Sequence, residues 1–463
     1  MKRNFILSVV ALMMVVLSGC TDAKPKYVFY FIGDGMGLNI VHAAEYYKAA
    51  EKGIKLKADT INFAHFPIIG FANSSSADSY ITDSAAAGTA LACGQKTKQG
   101  TIGMDTTQQV PLKSIAIRAK EQGMGVGVVT SVSIDHATPA SFYGHNASRN
   151  GYYDIAMEGA VSNIDLFGGS GFLNPTKEGS DKEVYAAYAE NGYTLFPGKS
   201  SLGSIDTCLT KVLITEREGA DNSSFAYAID RKDDDLSLVD LVTKATEYLY
   251  KKYESEGFML VAEGGKVDWG AHANDIKASI GEVIDLDAAV AVAYQFYLQH
   301  PDETLIVVTA DHETGGYANA NGGGYSLNFD KILCKVPSRE VYGAQIRAAV
   351  ASGAAFEQLP MPGDYKFSSN EKAVLRDLYI KLTDSAVASD ESSQKSMYEK
   401  AQNSFAVAAY DLINRGVNAG WTTGGHSGSP VMIYSIGAGA EKMGGHKDNT
   451  EIPTTIATLM GLK

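Results

Sequence analysis

The chain has 463 residues, 45% of them apolar and 20% charged, a balance that suits a folded globular protein and excludes a disordered one. Its formal net charge of -13 argues against nonspecific nucleic-acid binding, which needs a basic face. An anionic substrate stays open, because local cations and metals set the field inside a site.

The first residues read as a targeting segment. Lys2 and Arg3 precede an apolar run from Phe5 to Leu17 that is too short for a comfortable membrane span. Leu17-Ser18-Gly19-Cys20 resembles a bacterial lipobox. That resemblance implies a leader over residues 1–19, cleavage before Cys20 and lipid on its sulfur and new amine. The expected location is the bacterial cell envelope, in the periplasm or at the outer membrane, with the membrane reached through Cys20. Residues 20–26 would be a tether and 27–463 the folded domain. Cys93, Cys208 and Cys334 remain, and an odd number cannot all pair within one chain. One disulfide with a free thiol, or three buried thiols, both fit, and their spacing shows no metal pattern.

Tyr27 to Ile32 (YVFYFI) is a continuous apolar run and predicts a buried central strand. It ends in Gly33-Asp34-Gly35-Met36-Gly37, which puts Asp34 where a strand becomes a loop. Ala85 to Ala92 favours helix, with Ser84 at its N-terminus, where free N–H groups favour an anion. The plain reading of Asp83-Ser84 is a helix cap. Ser114 to Gln122 predicts a helix and Gly125 to Val132 a strand. That strand leads into Asp135-His136-Ala137-Thr138-Pro139, then His145 and Arg149. The plain reading there is a solvated turn with Thr138 held extended by Pro139.

Residues 150–235 are less informative, and Leu166 to Phe172 reads as glycine-rich loop against the core. Leu236 to Tyr253 predicts an amphipathic helix. Phe258 to Ala262 predicts a third buried strand, ending in Glu263 and the stretch Lys266 to His272. Asp268 and His272 stand at i and i+4, so a helical turn puts both on one face. Val283 to Gln299 predicts an apolar helix and Leu305 to Thr309 a fourth buried strand, followed by Asp311 and His312. From about 317 to 419 a mostly helical insertion is expected, with helices near Ser338–Ser352, Ser369–Leu382 and Gln394–Asn414. Trp421 to Gly428 (WTTGGHSG) returns to site-like sequence, Val431 to Ile436 predicts a strand and Ile452 to Met460 a helix.

The pattern predicts an α/β fold with a central, mostly parallel sheet flanked by helices. Parallel strands bring their ends to one edge. That edge could collect Asp34, Thr138, Glu263, Asp268, His272, Asp311, His312 and His426. So many carboxylates repel one another unless cations neutralise them. Mixed Asp/His sets suit zinc and all-oxygen sets suit magnesium. Ser84 would be a metal-activated nucleophile, and Arg149 a bidentate partner for phosphate oxygens.

Six stretches, GDGMG, TDSAAAGTA, HATPA with Arg149 downstream, EGGKVDWGAH, TADHETGG and GGHSG, together resemble the alkaline phosphatase family with a serine nucleophile. The resemblance runs from residue 33 to 428. It implies a phosphoserine intermediate on Ser84, two zinc ions and one magnesium ion. One zinc would be held by Asp268, His272 and His426, the other by Asp34, Asp311, His312 and Ser84. Magnesium would lie between Asp34, Thr138 and Glu263. Arg149 would hold the phosphate and Asp83 would orient it. His136 and Trp269 stand where the best-known branch has Asp and Lys behind the magnesium and phosphate, which implies weaker or altered magnesium dependence. The expected substrates are small phosphate monoesters, the expected assembly a homodimer. The alternatives are a phosphodiesterase of the same superfamily, which Arg149 disfavours, and a non-catalytic metal-binding lipoprotein. His42, His65, His145, His300 and His446 fall outside the ligand set.

Overall fold

A computed structural model describes residues 24–463 apart from 55–56, 181–182, 323 and 386–390. The expected leader over 1–19 and Cys20 lie outside the described residues. The first half of the chain holds β1 (Tyr27–Gly33), α1 (Leu38–Glu51), β2 (Ile68–Asn73), α2 (Ser84–Cys93), α3 (Ile115–Glu121), β3 (Gly125–Thr130), α4 (Ala137–Ala140) and α5 (Tyr152–Val161). There follow β4 (Leu166–Gly168), α6 (Val184–Glu190), β5 (Tyr193–Pro197), β6 (Lys211–Thr215), α7 (Leu238–Lys252), β7 (Phe258–Gly264), α8 (Lys266–His272) and α9 (Ile276–Gln299). The last part holds β8 (Thr304–Ala310), β9 (Glu313–Thr314), α10 (Arg339–Ala351), α11 (Ser369–Ser385), α12 (Glu391–Val417), β10 (His426–Ser427), β11 (Val431–Gly437), β12 (Gly445–Asp448) and α13 (Glu451–Met460).

Ten strands form one sheet in the order β12-β2-β11-β8-β1-β7-β3-β4-β6-β5. Only β11 runs against the others, pairing antiparallel with β8 and β2. β1, β3, β7 and β8 are buried along their whole length, which is why their sequences read as unbroken apolar runs rather than alternating ones. Tyr27 on β1 packs its ring against Phe258 on β7 and Phe296 on α9, with centroids 5.2 and 5.1 Å apart. α7 is amphipathic and starts on a capping box, in which Ser237 Oγ accepts from Asp240 N and Asp240 Oδ2 accepts from Ser237 N.

The structure departs from the sequence expectation in five places. Residues 166–215 are not only loop: β4, β5 and β6 extend the sheet to one edge. They are three to five residues long, too short for a clear period, and glycines follow β4 directly. β2 and β12 form the opposite edge, and the outward-facing Ile69 and Phe71 on β2 are exposed. α9 begins at Ile276, ahead of Val283, because the Asp275 carboxylate accepts from Ala278 N at 3.0 Å and caps it. Thr138 is neither extended nor solvated. It lies buried in α4, whose first turn accommodates Pro139 because no hydrogen bond is lost there. Cys93, Cys208 and Cys334 are all free thiols, and Cys208 is exposed rather than buried.

Register sets the site. Ile32 pairs with Glu263 on one side and with Thr309 on the other, and Thr130 also pairs with Glu263. Asp34, Glu263 and Asp311 therefore end up side by side at the C-terminal edge, together with the loop that leaves β3. The two-stranded ribbon β9–β10 pairs Thr314 with His426 and carries that histidine to the same edge. The helical stretch after β9 is tied to the loop that follows α8. Arg339 N donates to Asp275 Oδ2 at 2.7 Å, and Asn414 Nδ2 donates to Asn274 O at 2.8 Å.

Candidate active site

Ser84 is the first residue of α2 and is buried. Asp83 caps that helix, accepting from Ala85 N and Ala86 N at 3.3 and 3.1 Å. The same carboxylate accepts from Arg149 Nη1 at 3.2 Å, so one side chain fixes both the helix start and the guanidinium. Ser84 Oγ lies 3.2 Å from His312 Nε2. That nitrogen is also 3.3 Å from Asp34 Oδ1 and 3.2 Å from Asp311 Oδ2. Asp34, Asp311 and His312 are fully buried, and neither oxygen of Asp34 forms a hydrogen bond among the described residues. Asp311 Oδ1 is held by the amides of Gly35 and His312, leaving Oδ2 for the cluster.

A second group lies beside the first. Asp268 Oδ1 is 3.3 Å from His272 Nε2 and 3.7 Å from His426 Nε2. The other ring nitrogens donate to carbonyls: His272 Nδ1 to Gly424 O at 2.6 Å and His426 Nδ1 to Thr82 O at 2.7 Å. A carbonyl can only accept, so each neutral ring carries its proton on Nδ1 and aims the Nε2 lone pair inward. Thr314 joins the two groups. Its hydroxyl donates to Asp268 Oδ1 at 2.6 Å and accepts from His312 Nδ1 at 3.2 Å, which fixes His312 in the same tautomer.

Asp34, Glu263 and His136 make a third group, all buried, with ligand atoms within 4.8 Å of one another. The sets Asp34/Asp311/His312 and Asp268/His272/His426 meet the same limit. His136 Nε2 is 3.4 Å from Arg149 Nη2, while its Nδ1 has no partner among the described residues. His136 thus lies close enough to Asp34 and Glu263 for its ring to reach a metal they could hold. Trp269 is half-buried and meets the ring of His136 edge-on at 6.0 Å, with Lys266 Nζ 5.5 Å from the indole. His145 lies apart, bonded to Glu158 and Leu112 O.

Burial drives the electrostatics. It pushes Asp34 and Asp311 well above the usual carboxylate range, and neighbouring carboxylates add to the effect. Burial pushes Glu263 up to about 7, with the Thr130 and Thr138 hydroxyls opposing and the Asp268 charge adding. Burial, reinforced by the Arg149 charge, pushes His136 down to about 3. Burial also holds His312 well below the ordinary imidazole value. Neutral imidazoles facing crowded carboxylates, with both oxygens of Asp34, Asp311 Oδ2 and Glu263 Oε1 lacking a proton donor among the described residues, form a donor set suited to divalent cations.

The model of the family described as alkaline phosphatase matches residues 25–165 and 218–462. The chain belongs to the alkaline phosphatase family. It is 30% identical to alkaline phosphatase 3 of Bacillus subtilis, over 93% of this chain and 88% of that one. The cold-active alkaline phosphatase of a psychrophilic Shewanella superposes with a TM-score of 0.76 at 29% identity, covering 94% of this chain and 99% of that one. A His-to-Asp variant of the enzyme from the Antarctic bacterium TAB5, solved with magnesium in its M3 site, matches at 25% identity and a TM-score of 0.65, covering 95% and 99%. The protein is thus an alkaline phosphatase-family phosphoric monoester hydrolase, a metal-dependent class of enzyme.

Sequence reasoning passed over Thr314 and the Gly35 amide. Both lie inside motifs it quoted, but their roles depend on the β9–β10 ribbon and on the turn after β1. A hydroxyl two residues beyond His312 was the available signal.

Proposed function

We propose that the protein hydrolyses phosphate monoesters through a phosphoserine intermediate on Ser84, with two zinc ions and one magnesium ion. The observation that carries this reading is the convergence of Ser84 Oγ, Asp34 Oδ1 and Asp311 Oδ2 on His312 Nε2, at 3.2, 3.3 and 3.2 Å, beside the Asp83–Arg149 pair. Asp268, His272 and His426 would hold one zinc, and Asp34, Asp311, His312 and Ser84 the other. Asp34, Glu263 and Thr138, joined by His136, would hold magnesium. When bound, these ions supply the positive charge that offsets the negative charge building up on the transferred group.

The chain's own groups do the rest. Ser84 Oγ attacks phosphorus as the ester oxygen leaves, and water later releases phosphate from the serine. Arg149 grips two oxygens of the phosphoryl group in its planar fork. Asp83 stops that fork from swinging away. A monoester has three non-bridging oxygens and a diester only two, so once Arg149 has taken two of them only the monoester keeps one for the metals, which is why Arg149 favours that class over diesters. The TAB5 His-to-Asp variant with magnesium in its M3 site supports a third metal centre here. The leader sequence supports an envelope lipoprotein anchored through Cys20, and a homodimer belongs to the same reading.

The test compares phenyl phosphate with diphenyl phosphate on zinc- and magnesium-loaded protein, parent and Ser84→Ala. The parent should prefer the monoester by at least about a hundredfold, and Ser84→Ala should lose roughly ten-thousandfold in kcat. Acid quenching should trap phosphate on the parent alone. A diester preference, or a Ser84→Ala protein with parental activity, would overturn the assignment.

A further inference from the structure

The cavity that contains Ser84 and Arg149 has a volume of about 600 Å³, and its far wall is built by α10 and α12. Arg339, Gly343 and Arg347 stand four residues apart, so one stripe of α10 faces the cavity. A second cavity of about 540 Å³ adjoins it and shares Ala273, Arg339 and Val407 with it. Arg339 therefore stands at the junction of two adjoining spaces, one of which holds the nucleophile.

Three features make the junction a recognition point rather than a structural contact. Arg339 is half-buried, yet its guanidinium makes no hydrogen bond or ion pair among the described residues. Its backbone N–H is the part that anchors α10, through Asp275 Oδ2. The Asp275 carboxylate is occupied by the amides of Arg339 and Ala278, and attracts the guanidinium only from a distance. An unpaired guanidinium on the wall of the cavity that holds the nucleophile suits an anionic leaving group and not a plain hydrocarbon one.

We propose that Arg339 binds a second anionic group on the alcohol portion of the substrate, so that the enzyme selects phosphate monoesters whose leaving group is itself anionic. This rests on the monoesterase reading above. Arg149 would take the phosphoryl group that is transferred, and Arg339 the anion that is not. Arg339 is thus a specificity-determining residue whose contribution depends on the spacing between the two anions.

The experiment uses the zinc- and magnesium-loaded enzyme with alkanediol bisphosphates from ethane to hexane, each against the alkyl monophosphate of the same length. One spacer length should give the bisphosphate the higher kcat/KM. Arg339→Gln keeps the backbone bond to Asp275 and should lower the bisphosphate-to-monophosphate ratio of kcat/KM about tenfold, chiefly through KM, the size of one charge-assisted hydrogen bond. Arg339→Lys should restore most of it. A ratio that Arg339→Gln does not move, or the absence of any preferred length, overturns the proposal. Should that variant fail to fold, Val407→Trp serves instead: Val407 is exposed, and a bulky ring at the junction should lower the ratio for the longer spacers. An unchanged ratio there counts equally against it. Calorimetric binding of the matching bisphosphonates and alkylphosphonates separates this inference from the reading beneath it. If no monoester is hydrolysed, the monoesterase reading falls, while bisphosphonate binding weakened about tenfold by Arg339→Gln still upholds the anion site, and unweakened binding removes it.

Discussion

The two walls of the active-site cavity are built on different terms. On the sheet side, Asp34, Asp311 and His312 are fully buried, and each is fixed by strand register or by a backbone amide. On the helical side, Arg339 is half-buried, Val407 is exposed, and α10 rests on α12 through small residues. The sheet wall tolerates almost no displacement, because two of the three ligand groups share Asp34 and Thr314 joins two of them. The helical wall carries no candidate ligand and meets the loop after α8 through the Arg339–Asp275 and Asn414–Asn274 hydrogen bonds. The difference teaches that reaction chemistry and substrate selection are carried by separate stretches of chain, and that they should respond oppositely to the same kind of substitution.

The largest effect should come from adding one methyl group to the sheet wall. Gly35 has φ +70°, and a Cβ there would lie 2.7 Å from the Cα of Asp268 and 2.8 Å from both Asp268 Oδ1 and Thr314 Oγ1. Backbone strain and the clash with Asp268 together should cost roughly 2–4 kcal/mol in Gly35→Ala. Zinc affinity should fall with it, because Asp268 and the Gly35 amide that holds Asp311 both move. Chemical denaturation and zinc titration check this. A variant with parental stability and parental zinc binding would show that the sheet wall is not rigid.

Metal removal should expose the same wall through pH. Burial raises Asp34 and Asp311 well above their ordinary values and Glu263 to about 7. In the metal-free fold these acids keep protons that the unfolded chain has already released. His136 and His312, held neutral in the fold, oppose this below about pH 6.5, where the unfolded imidazoles carry protons; above it the unfolded state binds fewer protons, and stability falls as pH rises toward and past 7. In chelator, Tm should drop by roughly 5 °C between about pH 6.5 and pH 7.5, and zinc with magnesium should abolish the drop. A flat profile in chelator would mean that these carboxylates find partners without metal.

Much of the sheet wall was legible in the sequence for a physical reason. Asp34, Glu263 and Asp311 each follow an apolar run buried on both faces, and parallel pairing brings such ends together. Asp268 and His272 were legible from their spacing on one turn of helix. His136 was found, but how near its ring comes to Asp34 and Glu263 was not, because that depends on how the turn into α4 packs. The strands over 166–215 were missed because each is too short to show a period. Arg339 carried no signal at all: an arginine on a polar helix is ordinary, and only the packing of α10 over the site gives it a role.

The smallest effect should come from the helical wall, with the opposite sign. Gly343 is buried in the middle of α10. A Cβ there would lie 3.5 Å from Arg347 Nη1 and 3.8 Å from Ala406 Cβ, both ordinary contact distances. Nothing must move to admit it, and its φ does not lie in the left-handed region. Glycine inside a helix costs up to about 1 kcal/mol relative to alanine, mostly by leaving the unfolded chain more freedom. Gly343→Ala should therefore raise Tm by about 1–3 °C, where Gly35→Ala lowers it. A scanning calorimetry trace of each variant in the same buffer decides the matter. If Gly343→Ala also lowers Tm, the seam between α10 and α12 is packed as closely as the ligand wall, and selectivity at Arg339 could not be altered without disturbing the metals.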